Sequence, residues 1–453
     1  MEIIIKNFKW TYIHLYSAIL IMTILFGRSF TGIFIFGYRI GEIAIGTAYL
    51  FLLYFFIFFK KENPFFVYGK QTFYSIKFII ISFFMTVFFT KGSLFDIYTY
   101  KSSSYIWTIS FLILGGIFYS YIDKDFYLIK IFPLLLPLTY ILSTIYFPQF
   151  LIDFFLKYSD KFDFLKAADV FLLYIFTNIF NQKNMKSKFN FYTYFLISSA
   201  IFIPLFLYKS KGAFLPATIF LFVEIIRTRQ IFLNNKIKSL IVMTLCVPVF
   251  FLSTYNSGLG FAENEYTLEE ERIYTIAASV SRAASEKNTT ELFGSFFIYD
   301  GRLYSEEQMA NWRLQIWQDV VLDLFSYSEY SADGESVYRA SGDSRNDLVL
   351  NGFGYNEMLP AMDFGSRRGT DLMNENVHNF AINILAKGGF LQFFLFIFFY
   401  LSLITHWYKK KNNLRLLSFI TFVLMCASFD VAMEGVRFPF IFFSSISYLF
   451  YEK

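Results

Sequence analysis

The sequence has 453 residues, of which 56% are hydrophobic and 23% aromatic, and its formal net charge is +5. A soluble domain of this length has too little interior to hide so much apolar surface, so the composition excludes a soluble globular protein. It favours a chain whose solvent is lipid.

Apolar runs long enough to cross about 30 Å of hydrocarbon recur along the chain. We predict an all-α polytopic membrane protein with about twelve transmembrane helices, closely connected except after the ninth. The predicted spans are residues 11–27, 43–59, 75–90, 105–122, 128–147, 164–180, 191–208, 212–226, 238–254, 384–407, 414–429 and 437–451. The chain then divides into a nine-span region (1–254), a large and mostly helical loop domain (255–379) and a three-span region (380–453).

The positions of Lys and Arg predict the orientation, because positively charged residues resist export. Basic residues precede the first predicted span and follow the second, sixth, eighth and tenth. They are Lys6, Lys9, Lys60, Lys61, Lys70, Lys183, Lys186, Lys188, Arg227, Arg229, Lys236, Lys238, Lys409, Lys410, Lys411 and Arg415. All lie on one side if there are twelve spans. That side is expected to be the cytoplasm, and the loop after the ninth span is expected to be exported.

The exported loop differs chemically from the rest of the chain. It holds nine basic residues against twenty-one acidic ones, and eight of the nine are Arg. The planar guanidinium of Arg matches phosphate oxygens in pairs, which favours a diphosphate ligand, whereas ordinary ion pairs with the acidic residues are the alternative. So acidic a region is unsuited to nucleic acid. A sugar-bearing ligand anchored in the membrane fits it better.

The remaining polar residues favour neither metal nor thiol chemistry. Asp123 and Asp125 have the spacing of a metal-binding carboxylate pair, but the predicted topology places them in a cytoplasmic turn, where a solvated loop is expected. His14 and His406 have no clustered Cys, Asp or Glu partners, so no metal site is predicted. Both cysteines lie in predicted spans, so no exported thiol or disulfide framework is expected.

Two short exported segments contribute further charges. Lys211 begins the eighth predicted span within Lys209-Ser210-Lys211-Gly212-Ala213. Between the last two spans, Asp430, Glu434 and Arg437 either line a site or form an ion-paired turn.

The exported loop ends in Val377-His378-Asn379, directly before the next predicted helix. One of only three histidines therefore lies at a membrane–water boundary. A histidine at a helix start is often structural, and Asn379 either caps the helix or orients a ligand. Upstream, Trp312, Arg313 and Trp317 lie in one amphipathic run, and Gly352 and Gly354 form a glycine-x-glycine turn. Four separate segments thus lie on one side of the membrane.

At these positions the chain resembles the O-antigen ligase and O-antigen polymerase family of bacterial surface-polysaccharide assembly. In that family an arginine-x-x-x-tryptophan segment, a glycine-x-glycine turn and a His-Asn-x-x-Leu-x-x-Leu-Ala pattern occur in this order. The matching residues are Arg313 with Trp317, Gly352 with Gly354, and His378-Asn379 with Ile382, Leu385 and Ala386. The resemblance covers residues 210–391, and the twelve-span layout with a loop after the ninth span agrees with it.

Three departures from the family pattern stand out. Its Ser-Arg-Gly is Ser210-Lys211-Gly212 here, which keeps the positive charge but loses bidentate phosphate binding. An insertion at residues 326–350 precedes the glycine turn, and a second glycine expected after Gly389 is Gln392.

The resemblance implies a metal-independent glycosyltransferase without a cofactor, in the bacterial cytoplasmic membrane, with its active site facing the periplasm. Its donor would be an undecaprenyl-diphosphate-linked oligosaccharide. Transfer needs a base near the attacking hydroxyl and fixed positive charge near the leaving diphosphate. We predict that His378 activates or positions the hydroxyl, that Arg313 and Lys211 hold the diphosphate with Arg282 as a third cation, and that Asn379 orients the sugar or caps the helix.

The acceptor stays open at this point. A ligase passes the glycan to lipid A-core and a polymerase passes it to another repeat unit; the inserted loop slightly favours the polymerase. A lipid-linked glycan flippase or other transporter is the remote alternative, although the sequence lacks the internal repeat and mid-membrane charges typical of transporters.

Overall fold

The computed structural model describes most of the apolar part of the chain and pieces of the predicted exported loop. The described residues are 2–57, 67–122, 126–160, 162–259, 296–299, 301–306, 308–325, 329–332, 335–338, 348–356, 358–362, 367 and 377–451. Asp123, Asp125 and Arg282 lie outside them.

A helix lies on each of the twelve predicted segments. In chain order the elements before the predicted exported loop are α1 (Glu2–Thr31), β1 (Phe34–Ile35), β2 (Tyr38–Arg39), α2 (Ile40–Ile57), α3 (Lys70–Phe89), α4 (Ile97–Ser102), α5 (Ser104–Trp107), a 3-10 turn (Thr108–Ser110), α6 (Phe111–Tyr121), α7 (Tyr127–Thr144), α8 (Gln149–Tyr158), α9 (Ala167–Asn184), α10 (Lys188–Lys209), α11 (Lys211–Asn234) and α12 (Lys236–Leu259).

The later elements are β3 (Phe296–Tyr299), β4 (Arg302–Ser305), α13 (Gln308–Leu324), β5 (Glu329–Ala332), β6 (Glu335–Tyr338), α14 (Leu348–Asn351), a 3-10 turn (Pro360–Met362), α15 (Phe380–Lys411), α16 (Arg415–Ala427) and α17 (Arg437–Tyr451). The two hairpins β3–β4 and β5–β6 are antiparallel and were not predicted. In the first, aromatic and β-branched residues meet around Gly301, whose φ of +73° suits a tight turn.

Six of the described helices are long and apolar enough to cross a membrane, as expected of an all-α membrane protein. They cover Lys9–Thr31, Lys70–Phe89, Ser104–Tyr121, Lys188–Lys209, Lys236–Gly258 and Phe380–Lys411. A seventh candidate is the pair α7 and α8, whose axes are bent by 87°. Two further apolar helices, Ile40–Tyr54 and Arg415–Ala427, are shorter.

The helices share one large core of buried aromatic and aliphatic side chains. Many of the polar side chains inside it bond to each other or to backbone carbonyls, because an unpaired polar group costs several kcal/mol in an apolar medium, roughly 4–8 in hydrocarbon. For example, the single hydroxyl hydrogen of Tyr68 is shared between two acceptors, the Leu112 carbonyl at 2.9 Å and Ser447 Oγ at 2.7 Å. These bonds fix α6 against α17 beneath the site described next.

Candidate functional site

Helix α15 is broken near its start, and the glycine-x-glycine turn fills the break. Gly389 has a φ of +67°, which interrupts the helical hydrogen bonding. The N–H of Phe353 donates to the carbonyl of Ala386 at 2.8 Å, and the N–H of Gly354 donates to the carbonyl of Lys387 at 3.0 Å. The turn thus satisfies backbone acceptors at the break.

Two of the glycines are required by this packing. Gly352 has a φ of +72°, and a Cβ there would lie 2.5 Å from the backbone N of Gly389 and 2.6 Å from the Ala386 carbonyl oxygen. Gly354 has a φ of +93°, and its Cβ would lie 2.7 Å from the Thr90 side chain. A side chain at either position would therefore separate the turn from the helix.

His378 and Asn379 form the start of α15. His378 has a φ of +54°, a left-handed conformation that is uncommon for residues other than glycine. Asn379 is extended, and its side-chain oxygen accepts the N–H of Ile382 at 3.1 Å. Asn379 therefore caps the helix, and the capping bond fixes the backbone next to His378.

Helix α13 brings the tryptophan–arginine segment against this helix start. The rings of Trp312 and His378 meet edge to face with centroids 5.3 Å apart. Trp317 Nε1 donates to the Val377 carbonyl at 2.6 Å, and Arg313 Nη1 donates to the Phe429 carbonyl at 2.8 Å. The structure thus joins Arg313 and His378, which are 65 positions apart in the sequence.

The predicted lysine segment reaches the same place from another side. Lys211 is the first residue of α11, and Gly212 packs so closely on Phe429 that a Cβ would lie 2.9 Å from the Phe429 Cβ. Gly212 and Arg313 therefore both approach the backbone of Phe429. Of the predicted site residues, Asn379 adjoins His378 in the chain and Arg313 acts on it electrostatically. Neither of them, nor Lys211, is among the residues that line the cavity beside His378.

Arg313 differs from two other arginines of the loop between α12 and α15. Arg302 and Arg367 both pair with the fully buried carboxylate of Asp319, at 2.5 and 2.6 Å. For these two, the ordinary ion pair is the correct interpretation. Arg313 instead binds a backbone carbonyl and has no ion pair within the described part of the chain.

The surroundings of His378 keep its imidazole neutral. Burial lowers its pKa from 6.5 to about 4, and the positive charges of Arg313 and Lys166 act in the same direction, while Asp430 opposes them. Its Nδ1 is buried and has no hydrogen-bond partner among the residues that the structure describes. A neutral imidazole with a vacant ring nitrogen can accept a hydrogen bond from a substrate hydroxyl.

His378 lines an open cavity of about 780 Å³. A volume in this range holds a ligand of a few sugar units. Six basic residues and two acidic ones line it as well: Arg28, Arg39, Lys101, Lys166, Lys387 and Arg437, with Glu42 and Glu434. The cavity is therefore positively charged and suited to an anionic ligand.

The sequence analysis gave two alternatives for Glu434 and Arg437, a site or an ion-paired turn. Both residues line this cavity. Arg437 Nε pairs with the Asp169 carboxylate at 2.6 Å, so it is also part of an ion pair. Both carboxylate oxygens of Glu434 are buried, and the backbone N–H groups of Glu434 and Met433 favour its charged form. Burial raises the pKa of Glu434 from 4.5 to about 7, to which Asp430 adds.

The sequence analysis missed most residues of the cavity wall, and two of them lie on α15. Asn383 and Lys387 are almost fully buried and line the cavity, and Lys387 Nζ lies 5.2 Å from the centre of the Tyr98 ring. With Asn379 they occur at every fourth position, which is one face of a helix. That spacing of polar residues in an apolar helix was the available signal.

The position where the family has a second glycine carries an internal hydrogen-bond network. Gln392 is fully buried, and its Oε1 accepts hydrogen bonds from the hydroxyls of Tyr105, at 2.8 Å, and Tyr355. Tyr355 directly follows the glycine turn. The amide therefore ties α5 and the turn to α15, a role that glycine cannot fill.

The other two histidines are packed against aromatic rings. His14 stacks on Tyr127 with centroids 5.9 Å apart, and His406 stacks on Phe450 with centroids 6.2 Å apart. Among the residues that the structure describes, no three His, Cys, Asp or Glu side chains are grouped so as to hold a metal ion.

No protein-family model matches the chain, and no curated protein or solved structure matches it.

Proposed function

We propose that this protein is a membrane glycosyltransferase of the O-antigen ligase and O-antigen polymerase family. It transfers a glycan from undecaprenyl diphosphate to an acceptor hydroxyl at the periplasmic face of the bacterial cytoplasmic membrane. The observation that carries the proposal is the position of His378: a left-handed residue at a helix start, with a vacant ring nitrogen, on the wall of a basic cavity. Unusual backbone conformations in ordinary residues cluster at functional sites.

A twelve-span topology places this cavity on the exported side. Its lining segments are residues 28–45, 97–104, 166, 378–387 and 431–437. In a twelve-span chain these are the connections after the first, third, fifth, ninth and eleventh spans, together with the adjoining helix ends. Odd-numbered connections share one side of the membrane, which is opposite the lysine-rich connections.

The proposed reaction replaces the proton of the acceptor hydroxyl with the glycan; as the new bond forms, that proton passes to the imidazole of His378 and from there to solvent. The acceptor oxygen bonds to the anomeric carbon of the donor glycan, while the bond from that carbon to the diphosphate oxygen breaks and its electron pair leaves with the diphosphate. His378 accepts the hydrogen bond of the attacking hydroxyl and positions it, which its neutral state permits. Arg313 places a fixed positive charge beside it to stabilise the departing anion.

The cations assigned to the diphosphate are Arg313, Lys211 and Arg282. The guanidinium of Arg313 lies within electrostatic reach of His378, and Lys211 begins the helix whose Gly212 packs on Phe429. Arg282 stays a prediction from the sequence. A leaving group with two phosphates is served by cations that come from different helices, because each fixes one part of it.

The acceptor is proposed to be a second lipid-linked repeat unit, which makes the protein a polymerase. The alternative acceptor is lipid A-core, which makes it a ligase. Gel analysis of surface glycan from a deletion strain separates them: single repeats on lipid A-core indicate loss of a polymerase, and long unattached chains indicate loss of a ligase.

The activity itself is tested with purified protein in liposomes containing undecaprenyl-diphosphate-linked oligosaccharide and an acceptor. We expect a new glycosidic bond and release of undecaprenyl diphosphate, and neither from the His378→Ala variant. If the wild-type protein moves the lipid-linked sugar across the bilayer without forming that bond, it is a flippase and the proposed function is wrong.

A further inference from the structure

The basic residues of the cavity divide into those that are neutralised by ion pairs and those that are not. Arg39 pairs with Glu42 at 3.0 Å and also with Asp160. Arg437 pairs with Asp169 at 2.6 Å. Arg28 and Lys101 are both exposed, line the cavity, and have no ion pair within the described part of the chain.

The two unpaired cations come from other elements than the proposed reacting centre. His378 directly precedes α15, whereas Arg28 lies in the last turn of α1 and Lys101 lies in α4. The charged neighbours of Arg28 are Arg437, Arg39 and the carboxylates of residues 160 and 163. A diphosphate is attached directly to the reacting carbon, so the cations that serve it must lie beside His378. Cations from α1 and α4 are therefore candidates for binding another part of the ligand.

The same part of the cavity has a surface suited to a sugar ring. Tyr100 lines it directly before Lys101 and is 42% exposed, so part of its side chain is accessible to a ligand. Tyr100 also lies near Glu42, which is held by Arg39. An exposed aromatic ring beside unpaired cations fits a sugar that carries a negative charge.

We propose that Arg28 and Lys101, with Tyr100, form a subsite for a carboxylate-bearing sugar of the glycan, so that the cavity selects acidic oligosaccharides over neutral ones. The inference rests on the proposed function for its meaning, but the subsite can be measured by binding alone. A diphosphate offers similar chemistry to these cations, so the test must separate the two sources of negative charge.

The experiment compares two soluble ligands on the full-length protein in detergent: a short oligouronate and the same oligosaccharide after its carboxyl groups have been reduced to alcohols. We expect the oligouronate to bind at least about tenfold more tightly at low salt, with the difference shrinking as salt rises. The Arg28→Gln/Lys101→Gln double variant should lose that difference, and Arg28→Lys/Lys101→Arg should keep most of it. Lys91→Gln, an exposed lysine outside the cavity, should leave it unchanged.

Equal binding of the two ligands to the wild-type protein overturns the subsite, and so does a preference that survives in the double variant. Transfer assays with lipid-linked donors give the second arm. If the double variant loses transfer of acidic and neutral glycans to the same extent, the cations serve the diphosphate and the inference is wrong. If the wild-type protein binds the oligouronate selectively but transfers neither donor, the subsite stands and the proposed glycosyltransferase function fails.

Discussion

The indole of Trp312 meets the imidazole of His378 edge to face, with ring centroids 5.3 Å apart. The backbone of this histidine is in the left-handed conformation. It directly precedes α15, and Asn379, Asn383 and Lys387 follow along one face of that helix. The contact joins α13 to α15 and fixes the ring that faces the cavity.

Because His378 is in the left-handed conformation, two substitutions can distinguish its structural role from its chemical role. His378→Ala and His378→Gly should both abolish glycan transfer, because both lack the imidazole. The glycine variant should be more stable than the alanine variant by about 1 kcal/mol, since only glycine adopts this conformation without strain. Thermal unfolding in detergent measures the difference. Full transfer activity in the glycine variant would show that the side chain has no chemical role.

Arg313→Lys should lower transfer by about tenfold or more although the charge is kept. Lysine cannot bind the Phe429 carbonyl and also present a second donor to a phosphate in the fixed geometry of a guanidinium. Steady-state kinetics with a lipid-linked donor measure the effect. Arg229→Lys, on an exposed part of α11, is the matched control and should behave as the wild-type protein. Unchanged kinetics in Arg313→Lys would remove Arg313 from the diphosphate site.

Gly352→Ala should destabilise the protein far more than Gly301→Ala. Both glycines have a φ near +70°, so the backbone strain of about 1–2 kcal/mol is common to the two substitutions. A Cβ on Gly301 meets no atom of the described residues within 4 Å, whereas a Cβ on Gly352 meets the backbone of α15 at 2.5 Å. Thermal unfolding of the two variants isolates the contact between the turn and the helix. Equal losses would show that this contact contributes nothing to stability.

Glu434 should make the protein less stable as pH rises from about 5 to 8. Its pKa is raised from 4.5 to about 7 in the folded protein, so the folded state holds this proton where the unfolded state has released it, and the free energy of unfolding falls across that window. The charged and titratable groups near Glu434 are Asp430, Tyr105 and the basic residues of the cavity, Arg28, Arg39, Lys101, Lys166, Lys387 and Arg437.

Glu434→Gln cannot titrate, so its melting temperature relative to the wild type should increase between pH 5 and pH 8. A constant difference over that range would show that the carboxyl group keeps its ordinary pKa. The lysines and arginines of the cavity do not change charge in this window, which leaves His378, whose pKa is lowered from 6.5 to about 4, as the residue to check with His378→Gln.

The sequence by itself determined which segments are helical and where the candidate histidine lies. Apolar runs in lipid must form helices, because the backbone has no other hydrogen-bond partners there, and a helix lies on every predicted segment. The position of His378-Asn379 at the start of α15 also followed from local pattern, since the capping residue and the helical spacing after it are neighbours in the chain.

Only the tertiary structure decided how these pieces act together. The break at Gly389 that receives the glycine turn, the neutral state of His378 and the buried carboxyl of Glu434 all depend on groups far apart in the sequence. The same holds for the ion pairs of the cavity: Arg39 and Arg437 each pair with a carboxylate, whereas Arg28 and Lys101 have no ion pair among the described residues. Burial and electrostatic neighbours are set by packing between helices, and no local pattern of residues contains that information.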